Sequence, residues 1–200
     1  MRLMTAACLL ATALAIPSRV LASDETPLDY RHQENWVAIL NHAQSPIDIV
    51  TSAAQPAQAD EAGAIVLRQA QAETGTTVDT GHAVRFDTQR TEATIRGRHF
   101  RLAQLHFHAP SEHTINGQRY PLEGHFVFRA ENGHLAVLAV MYEDGSANHA
   151  AQAILDDLAT LPQPTEPRML DLNALLPAQL GYYHYLGSLT TPPLTQNVEW

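Results

Sequence analysis

The segment QLHFHAPSEH, residues 104–113, holds three histidines and a glutamate, and LEGHFVF, residues 122–128, adds a fourth histidine inside an apolar run. Alternate side chains of a β-strand point to the same face of a sheet. We therefore expect His106 and His108 to share one face with Gln104, while the intervening leucine and phenylalanine occupy the other. This spacing predicts a polar site on one face of a strand and a core on the other.

The second segment predicts the partner strand. Glu123 and His125 share a face there, so two adjacent antiparallel strands can present His106, His108 and His125 to one point. Three histidines with an open fourth position are typical of catalytic zinc sites. Gln104 and Glu123 each lie two residues from one of these histidines, and we expect each to fix the second ring nitrogen of its neighbour.

A different metal protein has a similar motif. In HFHAPSE a glutamate follows the HxH pair after three residues, which resembles the metal motif of the cupins and would make Glu112 a ligand. The glycines that the cupin pattern requires are absent, and Pro121–His125 matches its later segment only loosely.

The composition predicts one globular domain of 200 residues, 45% of them hydrophobic and 16% charged. Alternating segments between residues 83 and 144, separated by turn residues at Gly97 and at 132–133, predict antiparallel strands. A helix is expected over 148–161 and a short helical turn over 170–176. The predicted fold class is mainly β with peripheral helices.

The N-terminus has the pattern of a secretory signal peptide over residues 1–22. Arg2 precedes an apolar run from Met4 to Ile16, and small residues lead to a cleavage point after Ala22. The run is short for a membrane span. We expect a periplasmic or secreted domain over residues 23–200, with no membrane attachment after cleavage.

Charge and cysteine content limit the partners. The chain has 12 basic and 21 acidic residues, and removal of the predicted signal leaves 10 basic and 21 acidic residues, a net charge of −11. This balance argues against nucleic acid as a partner. The one cysteine, Cys8, lies in the predicted signal. Stability is therefore expected from packing and from a bound metal rather than from disulfides.

Five motifs together resemble the α-class carbonic anhydrases of the bacterial exported type, in the order found in that family. They are AQSPIDI at 43–49, TGHAVRF at 80–86, QLHFHAPSEHTINGQRYPLEGHFVF at 104–128, LAVLAVMYEDG at 135–145 and GSLTTPP at 187–193. Glu34-Asn35-Trp36 also resembles the start of the family's catalytic domain. The resemblance spans about Tyr30 to Trp200 and implies a large mixed, mostly antiparallel central sheet.

The resemblance implies a zinc enzyme. Zn²⁺ would be bound by His106, His108 and His125, and the reaction would be the reversible hydration of carbon dioxide to bicarbonate and a proton. By similarity, the Thr190 hydroxyl oxygen accepts a hydrogen bond from the nucleophile, and its O–H group donates one to Glu112. The only partner that this implies is the small-molecule substrate, and the sequence does not indicate an oligomeric state.

The resemblance also implies a proton shuttle and a substrate pocket. His82 matches the shuttle, a role suited to a side chain that titrates near neutral pH. The residues that match the family's substrate pocket are Val127, Val137, Leu189, Thr190, Thr191 and Trp200.

Some positions depart from the family pattern. Arg85 and Thr80 stand where the family usually has small amides that order the active-site water. The sequence stops at Trp200, whereas the family continues with further strands, so we expect a C-terminally incomplete domain. The alternative function is a non-catalytic, carbonic-anhydrase-like zinc-binding protein or truncated remnant.

Overall fold

The computed structural model describes residues 43–57, 63, 65–68, 70–81, 83–157 and 166–200. These residues belong to the second of two units into which the chain divides, Ala38–Trp200. The predicted signal peptide, Glu34–Trp36 and His82 lie outside the described residues. Within the described ranges, no helix is both long and apolar enough to cross a membrane.

The described part of the chain is built mainly from strands. They are β1 Asp48–Ile49, β2 Val66–Arg68, β3 Glu73–Asp79, β4 Val84–Thr88, β5 Glu92–Ile95, β6 Arg98–His108, β7 Thr114–Ile115, β8 Gln118–Arg119, β9 Leu122–Arg129, β10 Leu135–Tyr142, β11 Arg168–Leu170, β12 Leu186–Ser188 and β13 Gln196–Glu199. One α-helix is present in these ranges, α1 His149–Asp157. Short 3₁₀ helices cover Thr51–Ala53, Ala70–Ala72 and Leu172–Leu175.

Ten strands form the central sheet, in the order β11-β3-β4-β6-β9-β10-β13-β12, with β5 attached to β6 and β2 to β5. Its pairs are antiparallel apart from β10 with β13. A small second sheet has the order β1-β7-β8. The predicted fold class, mainly β with a large mixed and mostly antiparallel sheet, is confirmed.

The strands predicted between residues 83 and 144 correspond to β4, β5, β6, β9 and β10. The predicted helix over 148–161 is found as α1, and its expected last residues lie outside the described ranges. The helical turn expected over 170–176 is shorter, Leu172–Leu175, because residue 170 ends β11. Sequence analysis did not predict β3, whose sequence ETGTTVD lacks apolar alternation.

Two tight turns use paired positive φ angles. Arg96 and Gly97, with φ of 48° and 77°, join β5 to β6, and Asn116 and Gly117, with φ of 51° and 75°, join β7 to β8. Two consecutive left-handed residues are typical of type I′ hairpins, whose twist matches that of the flanking strands. The turn predicted at Gly97 is therefore present, and it immediately precedes β6, the strand that carries His106 and His108.

In β6 the buried residues stand at even-numbered positions in the first half of the strand and at odd-numbered positions in the second half. Phe100 and Leu102 are buried in its first half, whereas Leu105 and Phe107 are buried in its second half. A regular strand cannot do this, because successive side chains alternate strictly. The alternation predicted for Gln104–His108 is present, but it does not continue in phase into the first half of the strand.

A β-bulge explains the change. Leu102 pairs with Phe128 of β9, but Gln104 pairs with Val127, so Ala103 has no partner across the ladder. Such an extra residue is absorbed as a local kink. The bulge keeps the apolar side chains of both halves on the core face and leaves the histidines on the opposite face.

We predict that deleting Ala103 leaves zinc binding nearly intact. Without this residue the strand alternates strictly, so the histidines keep their face. Deletion of Ala139, an alanine in the regular ladder of β10, serves as the matched control. The Ala139 deletion should turn the side chains of half of β10 to the opposite face of the sheet. It should therefore lower the free energy of unfolding by about 3 kcal/mol or more. Zinc content and thermal unfolding of both proteins check this. Equal loss of zinc in both would show that the kink itself is required.

Candidate metal centre

The three predicted ligands come together on one face of the central sheet. The register of β6 with β9 places His106 directly opposite His125. The ring centroids lie 4.9 Å apart for His106 and His108, 5.0 Å for His106 and His125, and 4.7 Å for His108 and His125. One nitrogen from each ring lies within 4.8 Å of the others. The spacing suits simultaneous contact with one cation.

Hydrogen bonds fix the orientation of two of these rings. The Nδ1 atom of His106 lies 2.7 Å from Oε1 of Gln104, and the Nε2 atom of His125 lies 2.7 Å from Oε1 of Glu123. Both acceptors are the residues predicted for this purpose from the sequence. Each bond occupies one ring nitrogen and leaves the other available, Nε2 in His106 and Nδ1 in His125.

The third ring has a nitrogen that lacks a hydrogen bond. Nε2 of His108 is buried and has no hydrogen-bond partner among the described residues. Oε2 of Glu112 is 3.5 Å away, which is too long for a hydrogen bond. A buried polar atom without a partner is costly, and a cation would remove this cost.

These donors fit a zinc ion. Three imidazole nitrogens and a free fourth position match the preferences of Zn²⁺. Two groups of mutually close ligand atoms are found in the described ranges, one of His106, His108 and His125 and one of His113, Glu123 and His125. Neither includes Glu112, and in the second group the carboxylate is hydrogen-bonded to both rings. The geometry therefore favours a three-histidine set over the cupin-like set considered from the sequence.

Two of the imidazoles, those of His106 and His108, are in the neutral form that binds metals. Burial lowers the pKa of His106 to about 2, and the neighbouring His125, His108 and Arg85 add to the effect. Burial also lowers the pKa of His108 to about 4, with a further contribution from His125. Both rings are therefore neutral at pH 7, and a cation need not displace a proton from them.

Glu123 connects the histidines to the neighbouring loop. It is fully buried, and its Oε1 atom lies 2.7 Å from both His125 Nε2 and His113 Nδ1. Its Oε2 atom accepts the backbone N–H groups of Glu112 at 2.7 Å and His113 at 2.9 Å. Burial alone would raise the pKa of Glu123, but the hydrogen bonds from His113 and His125 outweigh it and hold the pKa far below its ordinary value. The side chain therefore stays an ionised acceptor.

Sequence analysis left His113 without a role, although it belongs to the opening segment. Because Glu123 only accepts, His113 donates from Nδ1, and its Nε2 atom accepts from the Tyr185 hydroxyl at 2.6 Å. Burial raises the pKa of Tyr185, so its proton is retained. That hydroxyl lies 2.8 Å from Oγ of Ser45, which accepts the Ser188 N–H at 3.2 Å. A directed hydrogen-bond chain thus links the site to β12.

Glu112 and Thr190 are both buried, as their predicted roles require, with 6% and 5% of their surfaces exposed. Thr190 lies in the loop between β12 and β13, which is closed by hydrogen bonds from the Leu189 N–H to the Thr195 carbonyl and from the Leu194 N–H to the Thr191 carbonyl, both 2.9 Å. The predicted bond between Thr190 and Glu112 stays a prediction.

Apolar side chains stand beside the histidines on the same face. Val127 and Val137 are cross-strand neighbours and form one cluster with Val198, Leu189 and Trp200. Four of these five were predicted. Val198, which is fully buried, was missed, although its place in the VEW segment marks it as an inward residue of a strand.

Trp200 closes this cluster. Its ring centroid is 5.0 Å from that of His125 and 4.7 Å from that of His113, and its Nε1 atom donates to the Ser188 carbonyl at 2.9 Å. Thr191, the remaining predicted pocket residue, is partly exposed. The Thr80 N–H donates to the Ala83 carbonyl at 3.1 Å.

A cavity of about 610 Å³ borders this centre, and His113, Val137 and Trp200 are among the residues that line it. Its walls are mainly aliphatic, with Tyr182, Tyr183 and His184 on one side, and none of His106, His108 and His125 lines it.

The family follows from comparison with known proteins. Residues 31–200 match the model of the family described as eukaryotic-type carbonic anhydrase. The chain belongs to this family, the α class, as the sequence motifs predicted.

Individual relatives agree with this assignment. A carbonic anhydrase of Pectobacterium atrosepticum is 40% identical over 126 residues, which are 62% of this chain and 52% of that protein. One from Neisseria gonorrhoeae is 44% identical over 108 residues, covering 54% and 43% of the two chains. This chain thus spans about half the length of these relatives.

Solved structures share the sheet. The α-carbonic anhydrase of Photobacterium profundum has a TM-score of 0.70 at 33% identity, covering 88% of this chain and 82% of that one. Cah3 from Chlamydomonas reinhardtii, solved with acetazolamide, has a TM-score of 0.73 at 31% identity, covering 88% and 79%. Dioscorin, solved with ascorbate, has a TM-score of 0.70 at 26% identity, covering 80% and 68%. Since proteins with different names share this fold, function has to be argued from the site.

We predict that Glu123→Gln lowers zinc affinity by about 10- to 100-fold, the usual effect of losing a partner of a metal-binding histidine. The amide has one acceptor oxygen, so it cannot accept from the two histidine rings and also from the backbone N–H groups of Glu112 and His113, and the orientation of these groups is no longer fixed. Competition with a chromogenic chelator measures the affinity. Glu131→Gln, at an exposed turn, makes the same change of charge as a control. Unchanged affinity in Glu123→Gln would contradict this role.

Proposed function

We propose that the protein binds one Zn²⁺ and catalyses the reversible hydration of carbon dioxide to bicarbonate and a proton. The observation that carries the proposal is the cluster of three imidazoles, with two rings oriented by Gln104 and Glu123 and the third left with a buried nitrogen that has no hydrogen-bond partner among the described residues. The carbonic anhydrase family, to which the chain belongs, supports it.

His106, His108 and His125 would hold the ion. Bound zinc supplies the Lewis acidity that makes a water molecule nucleophilic near neutral pH, an effect for which carbonic anhydrase is itself the standard example. Gln104 and Glu123 contribute by fixing ring orientation, so that little reorganisation is needed when the site is filled.

The apolar cluster would bind the substrate. Carbon dioxide is neutral and has no hydrogen to donate, so an apolar surface binds it better than polar groups do. Val127, Val137 and Val198 are buried on the histidine face, and Trp200 packs against the His125 ring. The wall would exclude competing water from the space beside the imidazoles.

Glu112 and Thr190 would orient the nucleophile. In this proposal the Thr190 hydroxyl donates to the Glu112 carboxylate, so its oxygen can only accept a hydrogen bond from the attacking water. Support comes from the burial of both residues and from Glu123, which holds the Glu112 backbone N–H at 2.7 Å. A fixed acceptor aligns a lone pair of the water with the carbon.

His82 would move the released proton to solvent. An imidazole titrating near pH 7 can accept a proton from inside the site and give it to buffer. The segment TGHAVRF, whose resemblance to the family includes the shuttle position, supports this role.

We also propose that residues 1–22 direct export and are removed, which would leave residues 23–200 as a periplasmic or secreted domain. The N-terminal sequence pattern supports this.

The proposed activity is tested by stopped-flow assay with a pH indicator. We expect hydration above the uncatalysed rate, loss of activity when a chelator removes the metal, recovery with one equivalent of zinc, and inhibition by acetazolamide. His106→Ala, which removes one of three imidazoles, should lose both zinc and activity. Stoichiometric zinc without hydration would instead support the non-catalytic zinc-binding protein.

We predict that Glu112→Gln keeps stoichiometric zinc while turnover falls on the order of 10²-fold, because the nucleophile loses its fixed orientation. Metal analysis and stopped-flow kinetics on the same sample separate the two effects. Glu131→Gln again controls for the lost charge and should match the parent. Loss of zinc from Glu112→Gln would mean that this carboxylate is a ligand, as in the cupin-like interpretation.

His82→Ala is expected to slow turnover about tenfold or more in weak buffer, because no side chain then carries the proton out. Added imidazole, a diffusible base, should restore most of the rate. His99→Ala removes an exposed histidine of β6 and should have no effect. Equal rates of His82→Ala and the parent in weak buffer would rule out a shuttle at this position.

A further inference from the structure

A guanidinium group belongs to the same sheet face as the candidate metal centre. The register of β4 with β6 places Arg85 directly opposite His106. Directly opposed residues of an antiparallel pair project to the same side, with Cβ atoms about 4.5 to 5.5 Å apart. The next residue, Phe86, is fully buried in the main core and so confirms that Arg85 points to the histidine face.

Asp87 holds this guanidinium in one orientation. Its Oδ1 atom accepts from Nε of Arg85 at 2.6 Å, and its Oδ2 atom accepts from Nη2 at 2.9 Å. This bidentate pair uses two of the five N–H donors of arginine. The other three make no hydrogen bond within the described residues, and 37% of the side chain is exposed. Arg85 therefore retains donors for a ligand from solution.

The N–H donors of Arg85 favour bicarbonate over carbon dioxide as a ligand. Carbon dioxide is neutral and gains little from a cation. Bicarbonate is a planar oxyanion, and a guanidinium edge matches two oxygens of such an anion. The chain has a formal net charge of −9 and repels anions at long range, so any attraction of bicarbonate must be local.

We propose that Arg85 forms an oxyanion subsite beside the metal centre, which binds bicarbonate and, by the same chemistry, other small planar carboxylate-like anions. Asp87 positions the guanidinium and at the same time weakens the subsite, because its carboxylate repels the ligand. The assignment of bicarbonate as the ligand rests on the proposed function. The presence of free N–H donors on Arg85 does not depend on it.

Direct binding is the appropriate measurement. The overall equilibrium fixes the ratio of kcat/KM in the two directions, so kinetics alone cannot isolate the affinity for bicarbonate. We would load the protein with Co²⁺ in place of zinc and titrate it with bicarbonate, using the visible absorption of the ion to follow binding. Arg85→Gln should raise the Kd about two- to fivefold, the range for removing one partly exposed charge.

Two further variants sharpen the test. Asp87→Asn removes the competing carboxylate and should lower the Kd, whereas a purely structural ion pair would make Arg85→Gln and Asp87→Asn equally harmful. Arg68→Gln removes an exposed arginine from β2 and should leave the Kd unchanged. Arg85→Lys keeps the charge but loses the two-donor edge, so its Kd should lie between those of the parent and Arg85→Gln. Thermal unfolding of each variant identifies any that has failed to fold.

The outcomes separate this inference from the proposed function. If the parent hydrates carbon dioxide but Arg85→Gln binds bicarbonate as the parent does, the subsite is wrong and the activity stands. If Arg85→Gln weakens binding and Asp87→Asn strengthens it while the zinc-loaded parent shows no hydration, the subsite stands and the activity is wrong. A rise in Kd for both variants overturns the subsite.

Discussion

The register between β6 and β9 is the constraint on which the site depends. It sets His106 opposite His125, and the bulge at Ala103 keeps that pairing compatible with a continuous core on the other face. On the core side, Phe126 and Phe128 are almost fully buried. Because every side chain of a strand changes face with a shift of one residue, the same packing that stabilises the core also holds the imidazoles together.

Glu123 extends this local order to distant parts of the chain. Its carboxylate holds His125, the backbone at Glu112 and the ring of His113. From His113 the hydrogen bonds continue through Tyr185 to Ser45, so the site depends on contacts between residues up to 140 positions apart. A network of this kind is satisfied only when all its members are in place, so metal binding and folding of these segments are expected to be coupled.

Much of the fold class and the candidate ligand set could be predicted from local patterns, because the two-residue period of strands fixes which of His106, His108 and Gln104 share a face. The bulge was not predicted, although the change from Leu102 to Leu105 as buried positions breaks the period visibly. The roles of other residues depend on tertiary contacts that no local pattern contains. His113 meets a tyrosine 72 positions away, and the polar strand β3 is held by its pairing with β4 and by buried hydrogen bonds to Glu73.

We expect one cation to bind three imidazoles, through the nitrogens that hydrogen bonds leave available in His106 and His125 and through the buried Nε2 atom of His108. A crystal structure of the zinc-loaded protein, with anomalous diffraction at the zinc edge, tests it most directly. The account predicts one ion within about 2.0 to 2.1 Å of Nε2 of His106, Nε2 of His108 and Nδ1 of His125, with Gln104 and Glu123 still bonded to the other nitrogens. An ion bound by Glu112, or one held by His113 and Glu123 instead, would contradict it.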